Sequence, residues 1–517
     1  MDPYNNDDPD YRDTPLLSRV IKPSVRTVTL PEQRRSSGGR GGSFNRNQYQ
    51  QQSEERLRED HHRNPTQEHQ PPPPSIPVLS SSSSSSTVLP SLSSISQLSF
   101  VPSSSSTTLP PIHQIADGPT KDQSIVLPNI IQLPKQNVDF ISCNFPYEEK
   151  RLIQGLNMVV GQVNEPDYNL FCDSKIVYNL LEKKNSLEDI SHEKFTEARQ
   201  KSNPYEKVGN SIFMNRAAVK LACLDSLFGL TGIKRYDPVK DNVFLFADLC
   251  GGPGGFTEYL LSRKQSWGEK VFGWGITLKN LQDFDFSRFH HETMPDSYFK
   301  PCYGVDGTGD LYKEENIRDF AKVVKKGTQE GGVDLVTADG GFDVKGQERY
   351  QENLLNQLIL CQVITMFMTL RKNGDFVLKV FDIFTPFTGG IVWILYRHFE
   401  KLCIIKPLSS RPANSEKYII CRNLRESNPA IIDYLFNYQQ IPTLPKEDIN
   451  EIIDISEIKK DQGFLEYIKR KNIEIAKNQI EAIQQLMKFV DNPEIKPLNQ
   501  EEYRRLCLQE WSLPNEE

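Results

Sequence analysis

Two apolar patterns alternate along the chain from about position 211 to position 421. Between Ser211 and Leu227 the apolar residues recur every three or four positions, which predicts an amphipathic helix. Short apolar runs follow, separated by helix-length segments, and they predict β-strands at Val243–Asp248, Lys270–Thr277, Val333–Asp339, Asp375–Val380, Leu402–Lys406 and Tyr418–Cys421. This alternation is typical of an α/β fold with a mostly parallel sheet covered by helices on both faces.

The first 137 residues lack this patterning. They contain the proline run Pro71–Pro74, the serine run Ser80–Ser86 and a glycine- and arginine-rich patch at Arg34–Gly42. Because few large apolar residues are present to offset the entropy of ordering the chain, residues 1–137 are predicted to be a disordered, low-complexity tail. Two interpretations stay open: a solvated tail, or a tether whose arginine/glycine patch contacts RNA or a partner protein.

The folded part is predicted to begin at position 138. Residues 138–424 form the α/β domain in this prediction, with elements at 138–210 ahead of a core at 211–424. Residues 425–517 are rich in Ile, Leu, Glu and Lys, so they are predicted to form a helical extension that packs on the core. The stretch Leu354–Leu370 is too short and too polar to span a bilayer and predicts a buried helix.

Composition and charge narrow the classes of function. The 517 residues carry a formal net charge of −7, so a contact with nucleic acid requires a local basic patch. The nine cysteines form no CxxC pair and no Cys/His cluster at zinc spacing, which predicts free thiols and no metal site. The start of the chain is polar and acidic, unlike a secretory signal. These features predict a soluble intracellular protein without membrane attachment.

A glycine-rich loop follows the first predicted strand. The segment Ala247–Leu261 reads ADLCGGPGGFTEYLL, and glycines are needed where a chain turns sharply or approaches a ligand closely. Pro253 departs from the GxGxxG pattern, and the second strand ends in Gly275–Leu278 without the acidic residue that nicotinamide enzymes require. Asp248 puts a carboxylate beside the loop, which suits an ammonium or sulfonium group and repels a pyrophosphate. The loop therefore predicts S-adenosylmethionine as the ligand.

Charged residues stand in or after three further strands, where a buried sheet normally excludes them. Asp339 ends one predicted strand, Lys379 lies amid Phe, Val and Leu in the next, and the turn Ser409–Glu416 leads into the last. Ligands of open parallel sheets bind at the carboxyl ends of the strands. These residues are therefore candidates for chemistry beside the glycine loop, and a structural ion-pair network is the alternative interpretation.

Several ordered stretches carry a resemblance to a known family. They are SNPYE (202–206), FMNRAAVKLACLD (213–225), ADLCGGPGGFTEY (247–259), DGTGDL (306–311), TADGGFDVKGQE (337–348), LKVFDIFTPFTGG (378–390) and KPLSSRPANSEKY (406–418). They resemble the FtsJ-type ribose methyltransferases, and most closely the eukaryotic members that act on the first transcribed nucleotide of capped mRNA. The resemblance implies a Rossmann-like, S-adenosylmethionine-dependent methyltransferase fold, with a mixed, mostly parallel seven-stranded sheet.

The resemblance also implies roles for individual residues. The catalytic Lys-Asp-Lys-Glu tetrad of the family falls on Lys220, Asp339, Lys379 and Glu416. Besides Asp248, the residues expected to hold the methyl donor are Asn215, Cys250, Gly251, Gly252, Pro253, Gly254, Gly255, Phe256, Asp310 and Leu311. Those expected to touch the capped RNA are Arg199, Arg349, Tyr350, Gln351 and Asn414, together with Lys184, whose surroundings match the family less well.

The chemistry implied by the resemblance explains the need for these residue types. Methyl transfer to a ribose 2′-hydroxyl is an in-line displacement, so the oxygen must be aligned and its proton removed. A lysine at its usual pKa of about 10.4 is mostly charged and cannot accept that proton. Burial and a second cation favour the neutral amine, whereas nearby carboxylates favour the ammonium. Lys379 therefore acts either as a base or as a group that orients the hydroxyl and stabilises its developing charge.

Other functions fit the same sequence. A ribose methyltransferase of the second cap nucleotide, of ribosomal RNA or of transfer RNA is one alternative, and a catalytically silent RNA-binding subunit is another. The complete tetrad and glycine loop disfavour the silent subunit. The resemblance implies a nuclear protein, with the tail as the expected contact for RNA polymerase II or the capping machinery. The G-patch, guanylyltransferase-like and WW modules of the animal members are not recognisable in this sequence.

Overall fold

The computed structural model describes residues 131–143, 156, 159–161, 166–209, 212–232, 243–290, 295–342, 344, 347–426, 429–439 and 448–514. The predicted tail lies outside the described residues up to position 130. Its last part, residues 131–137, contacts the domain: the Gln136 amide donates a hydrogen bond to the Lys406 carbonyl oxygen at 2.8 Å, and Leu133 packs on a buried cluster. Residues before the predicted boundary at 138 thus contact the domain, because the Gln136 and Leu133 side chains bind to and pack on its core.

The centre of the fold is one large β-sheet. The strands are β1 (Ile141–Ser142), β2 (Val159–Gly161), β3 (Val243–Leu249), β4 (Lys270–Ile276), β5 (Phe299–Cys302), β6 (Val333–Ala338), β7 (Leu370–Val380), β8 (Phe399–Ile405), β9 (Lys417–Leu424) and β10 (Asp448–Glu451). Eight of them form the main sheet in the order β1-β8-β9-β7-β6-β3-β4-β5, and β2 pairs with β10. The inner strands are almost continuously apolar, as expected for strands buried on both faces.

The main sheet is mixed and mostly parallel, which confirms the predicted fold class. Strands β5, β4, β3, β6 and β7 pair in parallel, whereas β9 runs antiparallel to β7 and β8, and β1 antiparallel to β8. The sheet has one strand more than the predicted seven. The apolar pattern did not reveal β1, which has only two residues, or β5, which contains Pro301.

Helices cover both faces of the main sheet. They are α1 (Ser174–Glu188), α2 (His192–Ser202), α3 (Arg216–Phe228), α4 (Gly255–Ser266), α5 (Pro295–Tyr298), α6 (Glu314–Gly327), α7 (Gln351–Thr369), α8 (Pro386–His398), α9 (Pro429–Gln439), α10 (Ile455–Lys460), α11 (Gln462–Asp491) and α12 (Gln500–Glu510). Helices α6, α7 and α8 share one buried cluster with the sheet, and α3, α4 and α12 share the other.

Local chemistry sets the ends of the predicted helices. Helix α3 begins later than the predicted Ser211, because the Asn215 side chain accepts a hydrogen bond from the Ala217 N–H at 3.0 Å and caps the helix. It ends at Gly229, whose φ of 60° is left-handed. The buried helix predicted at Leu354–Leu370 is confirmed as α7.

The C-terminal region is mainly helical and packs on the domain. Trp511 is buried, and the Arg263 guanidinium on α4 donates hydrogen bonds to the Trp511 and Ser512 carbonyl oxygens at 2.7 and 2.9 Å. The region also contains β10, which was not predicted, because its sequence Asp-Ile-Asn-Glu has no strand-like apolar pattern. Strand β10 forms because it pairs with β2, which is distant in the sequence.

The register of the sheet brings the predicted site residues to one edge. The last residue of β6 pairs with the residue before Lys379 in β7, so Asp339 follows β6 beside Lys379. Lys379 pairs with Tyr418 in the antiparallel β9, so Glu416 reaches the same edge just before that strand. Lys220 comes from α3, which packs on the face of the sheet.

The part of the chain that the structure describes contains all nine cysteines, and each has a free thiol. Within that part, no cluster of His, Cys, Asp and Glu side chains is arranged to hold a metal ion. None of the helices described combines the length and apolar character that crossing a membrane requires.

Candidate active site

The four predicted tetrad residues form two neighbouring ion pairs. Lys220 Nζ lies 2.8 Å from Glu416 Oε2, and Lys379 Nζ lies 3.2 Å from Asp339 Oδ1. Lys379 also donates a hydrogen bond to the Asp339 carbonyl oxygen at 2.6 Å. Lys379 is 9% exposed and Glu416 is 5% exposed. The structure therefore brings together four side chains from α3, β7 and the segments beside β6 and β9.

Tyr418 adds a hydrogen-bond donor to this group. Its hydroxyl donates to Asp339 Oδ1 at 2.8 Å. Burial, together with the carboxylates of Asp339 and Glu416, raises the pKa of Tyr418 well above its usual value. The hydroxyl therefore stays protonated and helps to orient Asp339. Sequence reasoning missed Tyr418, because a tyrosine in an apolar strand gives no local signal of a polar partner.

Glu416 is held as a carboxylate by the surrounding cations. Burial alone would raise its pKa, but Lys220, Lys379 and Lys406 lower the pKa to well below the usual range. Its second oxygen, Oε1, accepts a hydrogen bond from Ser410 Oγ at 2.7 Å. Glu416 is thus negatively charged at neutral pH and interacts electrostatically with both lysines of the tetrad.

The glycine loop is a tight turn between β3 and α4. Gly254 has a φ of 122°, which favours glycine over any residue with a side chain. At Gly255 a Cβ atom would lie 2.2 Å from Asn215 Oδ1. Asn215, predicted to hold the donor, therefore lies directly against the start of α4, and a larger residue than glycine would separate the two.

Cys250 connects the glycine loop to the tetrad. Burial raises the pKa of its thiol to about 12, the Lys379 ammonium opposes this rise, and the carboxylates of Asp248, Asp339 and Asp310 add to it. A Cβ atom at Gly340, next to Asp339, would lie 3.1 Å from Cys250 Sγ. The glycine loop thus lies against the segment that carries Asp339.

The Asp310 segment is wound around a buried asparagine that sequence reasoning missed. Asn316 Nδ2 donates hydrogen bonds to the Asp310 carbonyl oxygen and to Asp306 Oδ1, both at 3.0 Å. Asp310 Oδ1 accepts a hydrogen bond from the Tyr312 N–H at 2.9 Å. Asn316 lies in the charged first turn of α6, where nothing in the sequence distinguishes it from a solvent-exposed residue.

Some of the residues predicted to hold the donor lie beneath the site. Asp248 has no exposed surface, and the hydroxyls of Thr257 and Thr337 each donate to its carboxylate at 2.8 Å. The Asp248 carboxylate also lies against the glycine loop, since a Cβ atom at Gly251 would be 2.3 Å from its Oδ2. The contact of Asp248 with the donor stays a prediction. Phe256 and Leu311 are likewise buried, at 2% and 3% exposure, and they pack in two different apolar clusters.

Lys184, predicted to contact the RNA, lies in a buried ion cluster. It is 5% exposed, and its Nζ lies 2.6 Å from Asp382 Oδ2. Lys417 binds the other oxygen of Asp382 at 3.1 Å. Since a buried charge requires a partner, Asp382 balances the charge of Lys184, and the contact of Lys184 with RNA stays a prediction.

Arg349 and Tyr350 are exposed beside the start of α7. The Arg349 guanidinium stacks over the Tyr350 ring at 5.2 Å from its centroid, and Tyr350 is 46% exposed. Gln351 follows as the first residue of α7. A cation stacked on an exposed aromatic ring offers both charge and a flat surface to a nucleic acid.

The other predicted RNA contacts lie near the turn before β9. Arg199 on α2 lines a small pocket together with Arg411 and Pro412. Asn414 Oδ1 accepts a hydrogen bond from Lys406 Nζ at 2.7 Å. The structure therefore separates the predicted RNA contacts into two groups, one on this turn and one at the start of α7.

Comparison with known proteins shows what the domain is similar to. An FtsJ-like methyltransferase family model matches residues 213–424. A Dictyostelium discoideum protein named cap-specific mRNA (nucleoside-2′-O-)-methyltransferase 1 is 38% identical over 430 residues, covering 79% of this chain and 55% of that protein. Proteins of the same name from Drosophila melanogaster and Homo sapiens are 40% and 38% identical, over 67% and 69% of this chain and 44% of each relative. The chain thus spans about half the length of the curated relatives it matches.

Proposed function

We propose that this protein, whose residues 213–424 match an FtsJ-like methyltransferase family model, methylates the ribose 2′-hydroxyl of the first transcribed nucleotide of capped mRNA. S-adenosylmethionine is the methyl donor. The observation that carries the proposal is the meeting of two lysine–carboxylate pairs at the edge of the sheet beside the glycine loop. The names of the curated relatives support the cap as the substrate.

The residues around the glycine loop suit S-adenosylmethionine. Helix α4 begins at Gly255, and its N-cap residue, Gly254, provides no side-chain cap, so the first N–H groups of the helix suit the carboxylate of the donor. Asn215 and Asp310 are the polar side chains that would orient the donor. When bound, the donor supplies a methyl group activated by a sulfonium.

Lys379 is the residue that acts on the 2′-hydroxyl. Its Nζ has two acceptors on Asp339, which leaves a further position on the nitrogen for the 2′-oxygen. A neutral amine in that position takes up the proton of the hydroxyl. An ammonium there donates a hydrogen bond to the oxygen as negative charge develops. The pH dependence of the rate separates these roles: activity that rises to a plateau indicates the base, and activity that falls at high pH indicates the ammonium.

The proposal is tested by locating the methyl group. The full chain is incubated with labelled S-adenosylmethionine and matched capped and uncapped RNAs, and the label is mapped by nuclease digestion. Label on the first nucleotide of capped RNA alone supports the proposal. Label on the second nucleotide, or on uncapped structured RNA, replaces it with a different ribose methyltransferase. Binding of donor and RNA without transfer identifies a silent RNA-binding subunit.

We also propose where the protein acts in the cell and what its N-terminal tail contacts. A methyl group on the first nucleotide modifies newly made mRNA, so the protein acts in the nucleus in this proposal, with the tail contacting RNA polymerase II or the capping machinery. Imaging of a tagged full-length protein and of a variant lacking residues 1–130 tests both statements. A cytoplasmic full-length protein contradicts the first, and unchanged polymerase co-precipitation without the tail contradicts the second.

A further inference from the structure

We propose that Lys406 and Ser410 are positioning residues that hold Glu416 and Asn414 in one fixed arrangement, so that the RNA-contacting turn and the catalytic carboxylate move together. The inference rests on the proposed function, since it gives these two residues a role in the same reaction. Both lie in the segment 406–416, which connects β8 to β9 and closes one side of the site.

Lys406 holds the end of this segment through directed hydrogen bonds. Its Nζ donates to Asn414 Oδ1 at 2.7 Å, to the Asn414 carbonyl oxygen at 2.9 Å and to the Glu416 carbonyl oxygen at 2.8 Å. An ammonium has three hydrogens, and these contacts use all of them. One side chain therefore fixes the backbone on both sides of Ser415 and the Asn414 side chain.

Ser410 holds the carboxylate of Glu416 itself. Its hydroxyl, 1% exposed, donates to Glu416 Oε1 at 2.7 Å, while Lys220 occupies Oε2 at 2.8 Å. Lys406 Nζ also lies 3.4 Å from Ser410 Oγ, so the two positioning residues are in contact. Both oxygens of the carboxylate are thus held, which prevents its rotation away from Lys220.

The charge of Lys406 is costly at this position, which argues for a function. Burial, together with the ammonium groups of Lys417 and Lys220, lowers the pKa of Lys406 to about 7, although the carboxylates of Glu416 and Asp382 oppose this shift. An apolar side chain of similar length would fill the space without that cost. The three hydrogen bonds, which an apolar residue cannot make, explain why a lysine is present.

The test compares three variants of the full chain with the wild type. Lys406→Met removes the hydrogen bonds, Ser410→Ala removes one donor with little change of volume, and Lys401→Met on β8 is the matched control. Thermal unfolding and the Kd for S-adenosylhomocysteine show whether each variant folds.

We expect Lys406→Met to lower kcat and to raise KM for capped RNA, each about tenfold, as for the loss of a hydrogen bond to a charged group. Ser410→Ala should lower kcat while KM changes little.

A pH series separates positioning from a purely structural role. As the pH rises through about 7, Lys406 loses one of its three hydrogens, so KM for capped RNA should rise in the wild type and in Lys401→Met. The rise should be absent in Lys406→Met. The inference is overturned if Lys406→Met and the wild type have equal kcat and KM. It is also overturned if the KM for capped RNA depends on pH in Lys406→Met as it does in the wild type. If Lys406→Met does not fold, an unchanged kcat of Ser410→Ala overturns it. An inactive wild type would instead contradict the proposed function.

Discussion

At the scale of single residues, the buried carboxylates differ in how their charge is balanced. Asp382 lies between the ammonium groups of Lys184 and Lys417, and these cations hold its pKa below the usual range although burial acts in the other direction. Asp248 accepts hydrogen bonds from the hydroxyls of Thr257 and Thr337 and from the Thr257 backbone, and burial raises its pKa to about 7. The first carboxylate is a fixed part of an ion cluster. The second changes its protonation near neutral pH.

Replacing Lys379 by alanine tests the proposed chemistry at its centre. Lys379→Ala should lower kcat by about a hundredfold to ten-thousandfold, the usual contribution of a group that transfers a proton. Binding of S-adenosylhomocysteine should persist, because the glycine loop and α4 do not depend on the lysine. Lys372→Ala, at an exposed position of the same strand, is the control for both measurements. Activity close to that of the control would remove Lys379 from the mechanism.

Replacing Asp248 by asparagine should change how stability depends on pH. The folded-state pKa of about 7 lies above the unfolded value of about 3.9, so the folded state binds more protons between them. The stability that Asp248 contributes is therefore full below about pH 4 and is lost as the pH rises through about 7. The free energy of unfolding of the wild type minus that of Asp248→Asn should fall by up to about 1.4 kcal/mol per pH unit across this range. Urea unfolding at several pH values measures it, and a flat difference would contradict the assignment.

At the scale of elements, α11 supports the site although it lies outside the residues matched by the family. Gln479 Nε2 donates hydrogen bonds to the Ala413 carbonyl oxygen at 3.1 Å and to Ser415 Oγ at 3.2 Å. Two turns earlier in the same helix, Asn472 Nδ2 donates to the Phe171 and Ile383 carbonyl oxygens, both at 2.8 Å. The helix thus holds the turn before β9 and the loop after β7, which are the two segments that flank the tetrad.

Truncating the Asn472 side chain should destabilise the domain. Asn472→Ala leaves two buried carbonyl groups without this donor, which should lower the free energy of unfolding by about 2 to 4 kcal/mol. Asn478→Ala, at an exposed position of the same helix, is the matched control and should leave stability unchanged. Chemical denaturation followed by tryptophan fluorescence measures both variants. Equal stability of the two variants would show that α11 does not hold the loop after β7.

For the molecule as a whole, the net charge of the chain does not favour the binding of RNA. The net charge of −7 repels a polyanion, so contacts with phosphates depend on local groups such as the exposed Arg349 beside Tyr350. Such contacts release counterions from the RNA and therefore weaken as salt is added. Binding of S-adenosylmethionine does not involve this release.

Salt should therefore separate the two ligands. The Kd for capped RNA should rise steeply between about 50 and 200 mM salt, whereas the Kd for the donor should change little. Arg349→Ala should reduce the slope of log Kd against log salt by about one. The control is Arg505→Ala, another exposed arginine, which lies on α12 and pairs with Glu502. Filter binding measures the slopes, and an identical slope for the two variants would place the phosphate contacts elsewhere.

Much of the fold could be predicted from the sequence, since apolar periodicity reports burial along a single element. The six strands predicted from apolar runs are present as β3, β4, β6, β7, β8 and β9. The glycine loop was identified from its composition. Asp339, Lys379 and Glu416 were identified because they are charged residues in or next to apolar strands. Strands β1 and β10 were missed, because a short strand is created by its distant partner and not by its own sequence.

The amino-acid sequence was enough to identify residue types that could perform the chemistry and the elements that carry them. The partners of these residues could not be predicted from it. Packing pairs Lys184 with Asp382 and Asp248 with Thr257, and it adds Lys406, Ser410 and Tyr418 to the group around the tetrad. A charged or polar side chain acts through its partners. Those partners come from distant parts of the chain, and the packing of the strands and helices brings them together.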